Sequence, residues 1–283
     1  MPAFTNFASL SVGGSTVNSN VVTGELNRSV ELTKTAVTDR YIRDSVVTYI
    51  IRITDSCNKD LTDLTLTDNL GAYSFDDTTL YPLTYVPDSL HYFVNGEPQA
   101  APSVVAGPPL VIMGISVPKG GSVLLIYQAQ VNEYAPLEVD SVIENEVSVT
   151  GYCQEDPITA SATITAGGNF DLTIAKFLDP VVVNEDDEIT YTFVIQNTGN
   201  TAVTAADGVV VSDTFDPILS ALTVTFNGET LTEPANYTYN SVTGEFATAD
   251  GQITVPAATY TQQDDGTFEI TPGVSVLTVT GTV

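Results

Sequence analysis

The chain repeats itself. Val30-Glu31-Leu32-Thr33-Lys34 matches Leu172-Thr173-Ile174-Ala175-Lys176 at its final lysine, and Val47-Thr48-Tyr49-Ile50-Ile51-Arg52-Ile53 matches Ile189-Thr190-Tyr191-Thr192-Phe193-Val194-Ile195. Both matches sit at one offset (176 − 34 = 142 and 191 − 49 = 142). Leu64–Asp68 matches Val209–Asp213, and Ser122-Val123-Leu124 matches Ser275-Val276-Leu277. Asn95-Gly96-Glu97 matches Asn227-Gly228-Glu229, a hairpin turn in each copy. The drifts in offset are loop insertions, which surface loops tolerate. One structural unit is therefore built nearly twice.

The unit is β. Thr, Val and Tyr are plentiful, Gly and Pro punctuate at short intervals, and no window holds a helical period, a pattern that favours all-β sandwiches. A chain of 283 residues is long enough for one large or two ordinary domains, each with a real core. The expected layout is two tandem sandwich domains, residues 27–168 and 169–283, behind a separate stretch, residues 1–26. The copies differ at their ends. The first continues through Val142–Val149, turns near Gly151–Pro157 and returns as Thr159–Thr165, whereas the second runs only Thr278–Val283. The second domain is thus expected to lack its final hairpin.

Residues 1–26 carry the pattern of that hairpin, two short strands around Gly13-Gly14. Phe4–Leu10 parallels Ile143–Val149, and Ser19 precedes Lys34 as Ser161 precedes Lys176 (34 − 19 = 15 and 176 − 161 = 15). Strand alternation puts Phe4, Asn6, Ala8, Leu10 and Val12 on one face, the expected donor strand. A sandwich without its last hairpin has an open edge and an uncovered apolar face. Residues 1–26 could fill it within the chain, closing a ring, or in the next molecule, by strand addition. Filling in trans is a head-to-tail contact that builds an open filament. Because only Asn27–Ser29 separate this segment from the first domain, a fold-back would be tight, and the filament is the favoured reading.

A lysine closing an apolar strand is followed by Asp187-Glu188-Ile189-Thr190-Tyr191, Asn197-Thr198-Gly199 and Ser212-Asp213-Thr214. This order resembles the conserved-repeat family also called domain of unknown function eleven. Copy one is looser, with Asp55-Ser56-Cys57 where Asn-Thr-Gly is expected. The resemblance implies immunoglobulin-like β-sandwiches, found in tandem on bacterial surface proteins and in appendages of anaerobic spore-formers. It implies a structural or adhesive role outside the cell, on a cell or spore surface. The N-terminus has neither a basic n-region nor an apolar h-region and the chain has no transmembrane run, so no secretory signal is expected; the spore branch accounts for this through mother-cell lysis. The expected function is a self-assembling fibre subunit. Its partners would be other copies of itself and an anchoring surface or spore-coat protein. The alternative is an adhesin that recognises a carbohydrate or protein through its loops.

With 8 basic against 35 acidic residues the net charge is −27, a field that repels nucleic acid and anionic membranes and keeps a β-rich protein soluble. Against this background a few polar residues fall in phase with apolar ones. Lys34 shares a face with Val30, Leu32 and Ala36, and Lys176 with Phe170, Leu172 and Ile174, so both lysines are predicted to point at a core. Asp68 is in phase with Leu64, Leu66 and Leu70, Asp213 with Val209, Val211 and Phe215, and Asn145 with Ile143, Val147 and Val149. A buried lysine loses its charge readily and a buried aspartate gains a proton. A neutral amine beside a protonated acid and a carboxamide has the chemistry of a Lys–Asn isopeptide bond, as in pilin-type immunoglobulin-like domains. The candidate sets are Lys34, Asp68 and Asn145 in one chain, and Lys176 and Asp213 with Asn6 of a neighbour. The alternatives are a buried ion pair completed by the Asn, or lysines that snorkel to solvent while the Asp caps a turn.

Cys57 and Cys153 allow one disulfide, within a domain or between subunits, or two free thiols. The acidic runs Asn184–Glu188, Asp76-Asp77 and Asp264-Asp265 lack calcium-loop spacing and are expected to be solvated faces. His91, alone in a strand-like run, is expected to be half-buried structure rather than a metal ligand. Nothing resembles a Ser/His/Asp set, a phosphate-cradling loop or a pair of catalytic carboxylates. A non-enzymatic protein without metal or cofactor is expected.

Overall fold

A computed structural model describes residues 3–25, 30–57, 59–152 and 156–283. Among the described residues the chain is all-β apart from one short 3-10 turn, Ala205–Asp207. It divides into two compact units, residues 1–135 with 142–165 and residues 136–141 with 166–283.

The N-terminal stretch folds on itself. Strands β1 (Ala3–Asn6) and β4 (Val22–Glu25) pair, as do β2 (Ser9–Val12) and β3 (Ser15–Asn18), and none of the four joins a larger sheet. The turn falls at Gly13-Gly14, both at positive φ, where a side chain would be strained.

The body of the first unit contains β5 (Val30–Ala36), β6 (Val46–Asp55), β7 (Leu61–Asp68), β8 (His91–Val94), β9 (Leu110–Val117), β10 (Ser122–Val131), β11 (Val142–Thr150) and β12 (Ile158–Ala166). One sheet runs β8-β10-β6-β5 and the other β9-β7-β11-β12, with short strands at their edges. Lettered by their order along the chain, the first sheet holds strands D, E, B and A and the second holds C, F and G of an immunoglobulin-type sandwich, with β9 an additional strand beside C. The inward residues of the two sheets close the core: Tyr49, Ile51 and Ile53 of β6, Leu64 and Leu66 of β7, Leu125 and Tyr127 of β10, Val147 and Val149 of β11.

The second unit contains β13 (Leu172–Asp179), β14 (Glu188–Asn197), β15 (Ser212–Thr214), β16 (Ser220–Phe226), β17 (Tyr237–Tyr239), β18 (Glu245–Thr248) and β19 (Gly273–Thr282). Its first sheet runs β13-β14-β19-β16, again A, B, E, D. Its second is only β15-β18-β17. Strand β7 of the first unit lies between β9 and β11, whereas among the described residues its counterpart β15 pairs with β18 alone. Among the described residues no strand stands at the F and G positions of this unit. The Asn95-Gly96 and Asn227-Gly228 turns have positive φ at both positions, as a type I′ hairpin requires.

Two sequence matches are out of register. Val123 pairs with Ile53 and Ser275 with Ile195, which are equivalent positions, so Ser275 stands with Val123 rather than with Ser122. Because side chains alternate, that single step changes the face of every residue compared. Tyr127 pairs with Tyr49 and Val279 with Tyr191, so Val279 occupies the place of Tyr127. In the N-terminal hairpin Asn6 faces Val22, and in the first unit Asn145 faces Ala162. Val21 therefore corresponds to Ser161, and the Ser19 match is two residues out. Ser19 sits instead at an irregularity, donating its N–H to Ala8 O at 2.8 Å and accepting from Ala8 N at 2.9 Å. An even shift leaves the faces unchanged.

Candidate functional site: a closed polar cluster and an open one

In the first unit the in-phase polar residues meet under the completed sandwich. Lys34 Nζ donates to Asp68 Oδ2 at 2.7 Å, with both side chains fully buried. Tyr127 Oη donates to the same oxygen at 2.5 Å and accepts from Asn145 Nδ2 at 3.2 Å. The other Asn145 atom, Oδ1, accepts the Gly71 N–H at 3.3 Å, while Leu70 N–H binds Asp68 Oδ1 at 3.0 Å. Gly71 has φ +73°, and a Cβ there would lie 2.5 Å from Ile143 Cγ2, so only glycine brings this N–H to the carboxamide. The Lys34 ammonium sits 4.9 Å from the Tyr49 ring centroid. Tyr127 and Gly71 were not among the residues singled out from sequence.

Burial lowers the Lys34 pKa to about 8 against the pull of the Asp68 charge, and burial with the same charge raises that of Tyr127 well above its usual value. The arrangement has the parts for amide transfer. An amine readily made neutral, an acid that can take its proton, a carboxamide, an N–H on the carboxamide oxygen and a phenol on its nitrogen share one dry site.

The low lysine pKa sets a pH dependence in a chain where Asn145→Ala leaves the amine free. Between pH 8 and 10.5 the unfolded chain carries the Lys34 proton and the folded one does not, so stability rises with pH through that window, by at most about 3 kcal/mol. Above pH 10 the buried hydroxyls of Tyr41, Tyr49 and Tyr127, whose folded pKa values are raised, reverse the sign. The denaturant midpoint of the first unit is expected to climb from pH 8 to about pH 10 and then fall. Adding Lys34→Met should leave only the fall.

In the second unit the same pair exists without its cover. Lys176 Nζ is ion-paired with Asp213 Oδ2 and lies over the rings of Tyr191, Phe193 and Phe215. The side chains are 40% and 18% exposed, against 0% for both members in the first unit. The expectation that Lys176 points into a core is corrected accordingly. It lies on the inner face, but the strands that would bury it are not among the described residues. Ile174 and Phe170, on the same face, are likewise exposed. Val279 supplies no hydroxyl where Tyr127 does.

Asn6, the third candidate, lies on the hairpin and is exposed. Antiparallel partners share a face, so Phe4, Asn6, Leu10 and Val12 lie with Gly24, Val22, Val17 and Ser15. The equivalent face of β11 and β12, with Ile143, Asn145, Val147, Val149, Ala162 and Ile164, is buried. On the hairpin it is bare: Leu10 is 71% exposed, Val12 74% and Val17 67%. Phe4 folds its ring across Gly24. Ala8 is exposed beside them.

Cys57 is buried and disulfide-bonded, and Cys153, the chain's other cysteine, lies outside the described residues. The loose Asp55-Ser56-Cys57 motif does the same work as Asn197-Thr198-Gly199. Asp55 Oδ1 accepts Cys57 N–H at 2.7 Å, and Asn197 Oδ1 accepts Gly199 N–H at 2.9 Å, turning the chain after β6 and β14. His91 is exposed rather than half-buried. In the acidic run at 184–188, Asp187 Oδ2 accepts from Asn184 N and Nδ2 at 2.6 and 2.9 Å, a local turn.

No protein-family model and no curated protein matches the chain. Solved structures similar to it include BcpA, the major pilin subunit of Bacillus cereus, at 13% identity and TM-score 0.35, covering 95% of this chain and 73% of that one. The full-length major pilin SpaD from Corynebacterium diphtheriae is similar at 13% identity and TM-score 0.35, over 86% and 59% of the two chains. The collagen-binding domain of a Staphylococcus aureus adhesin is similar at 13% identity and TM-score 0.30, over 48% and 96%. Likeness this distant assigns the chain neither a family nor an activity.

Proposed function

We propose that the protein is the structural subunit of an extracellular fibre, polymerising head to tail as residues 1–26 of one molecule supply the F and G strands of the second unit of the next. The observation that carries this reading is a matched pair of open surfaces. Strand β15 has a free edge beside the half-covered Lys176 and Asp213, and the hairpin exposes an apolar face patterned like β11 and β12. A bare apolar hairpin and an open sheet edge are each a liability alone and complementary together. Residues 1–24 contain no charged side chain in a chain of net charge −27, so the donor can dock without adding like charge. The order of motifs that resembles the spore-appendage repeat family supports this reading, in which the fibre stands on a spore or cell surface. Purified full-length chain should form fibres by negative-stain imaging, and a chain lacking residues 1–26 should stay monomeric. Two equally monomeric, equally folded proteins would overturn the reading.

Within the first unit, the same proposal includes a Lys34–Asn145 isopeptide bond joining strand A to strand F. Lys34 passes a proton to Asp68, and its neutral nitrogen attacks Asn145 Cγ. The Gly71 N–H would hold the developing oxyanion, and Tyr127 would relay a proton to the departing nitrogen. One C–N bond forms, one breaks, and ammonia leaves.

A further inference from the structure

We infer that Lys176 of one molecule becomes covalently joined to Asn6 of the next, so that each docked hairpin is welded to its acceptor. The inference rests on the fibre reading above and deepens it. The first unit shows what a complete set looks like: Lys34 on strand A, Asp68 on strand C and Asn145 on strand F, each on the inner face, with Asn145 pairing opposite Ala162 of strand G. The second unit holds the first two members at equivalent positions, already ion-paired, and among the described residues no carboxamide is bonded to them. The hairpin holds the third, Asn6, in the midst of its apolar face and opposite Val22 as Asn145 is opposite Ala162. Docking the hairpin at the β15 edge with its apolar face inward brings Asn6 over the Lys176–Asp213 pair.

Docking also supplies the trigger. In the free chain the pair is partly hydrated, and a hydrated ammonium is not a nucleophile. Covering it with Phe4, Leu10 and the valines removes water, which favours transfer of the lysine proton to Asp213. The neutral Nζ attacks Asn6 Cγ, the Cγ–Nδ2 bond breaks, and the nitrogen leaves as ammonia with protons from the lysine, shuttled by Asp213. No oxidant or other reactant is needed. Because Val279 stands where Tyr127 does, Asp213 alone serves the leaving group. An isolated chain cannot react at this site, so the weld marks assembled subunits only.

The test uses fibres of the full-length chain, imaged and then boiled in detergent with reductant. The expected result is a ladder of covalent oligomers, with one ammonia lost per junction beyond the one lost within each subunit at Lys34–Asn145, and a digestion fragment that joins Lys176 to Asn6. Asn6→Ala and Lys176→Arg should still give fibres in native buffer, since the apolar face and the Asp213 partner remain, but these should dissolve to monomers in hot detergent. Wild-type fibres that dissolve to monomers, or a ladder that persists in Lys176→Arg, would overturn the weld and leave the fibre reading standing. Absence of wild-type fibres overturns both.

Discussion

Asp68→Ala is expected to destabilise the first unit by about 3–5 kcal/mol. Lys34 and Asp68 are both fully buried, and the carboxylate also holds the Tyr127 hydroxyl and the Leu70 N–H. Removing it strands an ammonium and two donors in a dry core. A domain of this size has a total stability of roughly 5–15 kcal/mol, so the loss takes a large share of it. Asp68→Asn keeps the shape but not the charge, and should fall between Ala and wild type. The measurement is denaturant unfolding followed by circular dichroism, with the two units fitted as separate transitions. Only the first unit's midpoint should move. A loss of stability smaller than about 0.5 kcal/mol would mean that the pair is solvated. Intact mass provides an independent readout. If Asp68 shuttles the proton for the Lys34–Asn145 bond, wild type lacks one ammonia from that site, Asp68→Ala retains it, and Tyr127→Phe loses it more slowly. A wild-type chain of unreduced mass would exclude the bond.

Strand alternation was enough to place the polar residues. Lys34, Asp68 and Asn145 were legible because each interrupts a run of apolar residues with the same period, and phase alone assigns a face. Phase does not say whether a face is covered, which is why Lys176 was expected in a core and is found half in solvent. Cover depends on strands F and G, and so on pairing between segments distant in sequence. Tyr127 was missed for a related reason. It is in phase with Val123 and Leu125, and a tyrosine in a core strand looks like packing until its hydroxyl is seen to bridge Asp68 and Asn145. Comparing the copies could have singled it out, but the Ser-Val-Leu match set β19 one residue out of step with β10 and set Tyr127 against the wrong partner. Gly71 needed coordinates, since its importance lies in a positive φ and in the crowding by Ile143. The Asp55 and Asn197 turns show the converse, two motifs that differ in letters and agree in geometry because either side chain can accept the N–H two residues on.

A synthetic peptide of residues 1–26, added to a chain lacking them, is expected to raise the stability of the second unit and leave the first unchanged. Burying Phe4, Leu10, Val12, Val17 and Val22 removes five large apolar side chains from water, each contributing about 1.5–3 kcal/mol at most. Part of that gain is spent on order, because a lone two-stranded hairpin is marginal in water. Strand pairing at β15 adds backbone hydrogen bonds now made to solvent. At a hundredfold excess over its dissociation constant, the peptide would stabilise its acceptor by about 2.7 kcal/mol. Placing Leu10→Asp and Val17→Asp in the peptide puts two carboxylates against an apolar face and should abolish the shift. Asn6→Ala should preserve it, because that change keeps the docking face and removes only the carboxamide. Absence of any shift at millimolar peptide would mean that the hairpin and the open edge are unrelated, whatever their resemblance to β11 and β12. A shift produced equally by the aspartate peptide would mean that the edge accepts any strand, and that the apolar face plays no part in choosing it.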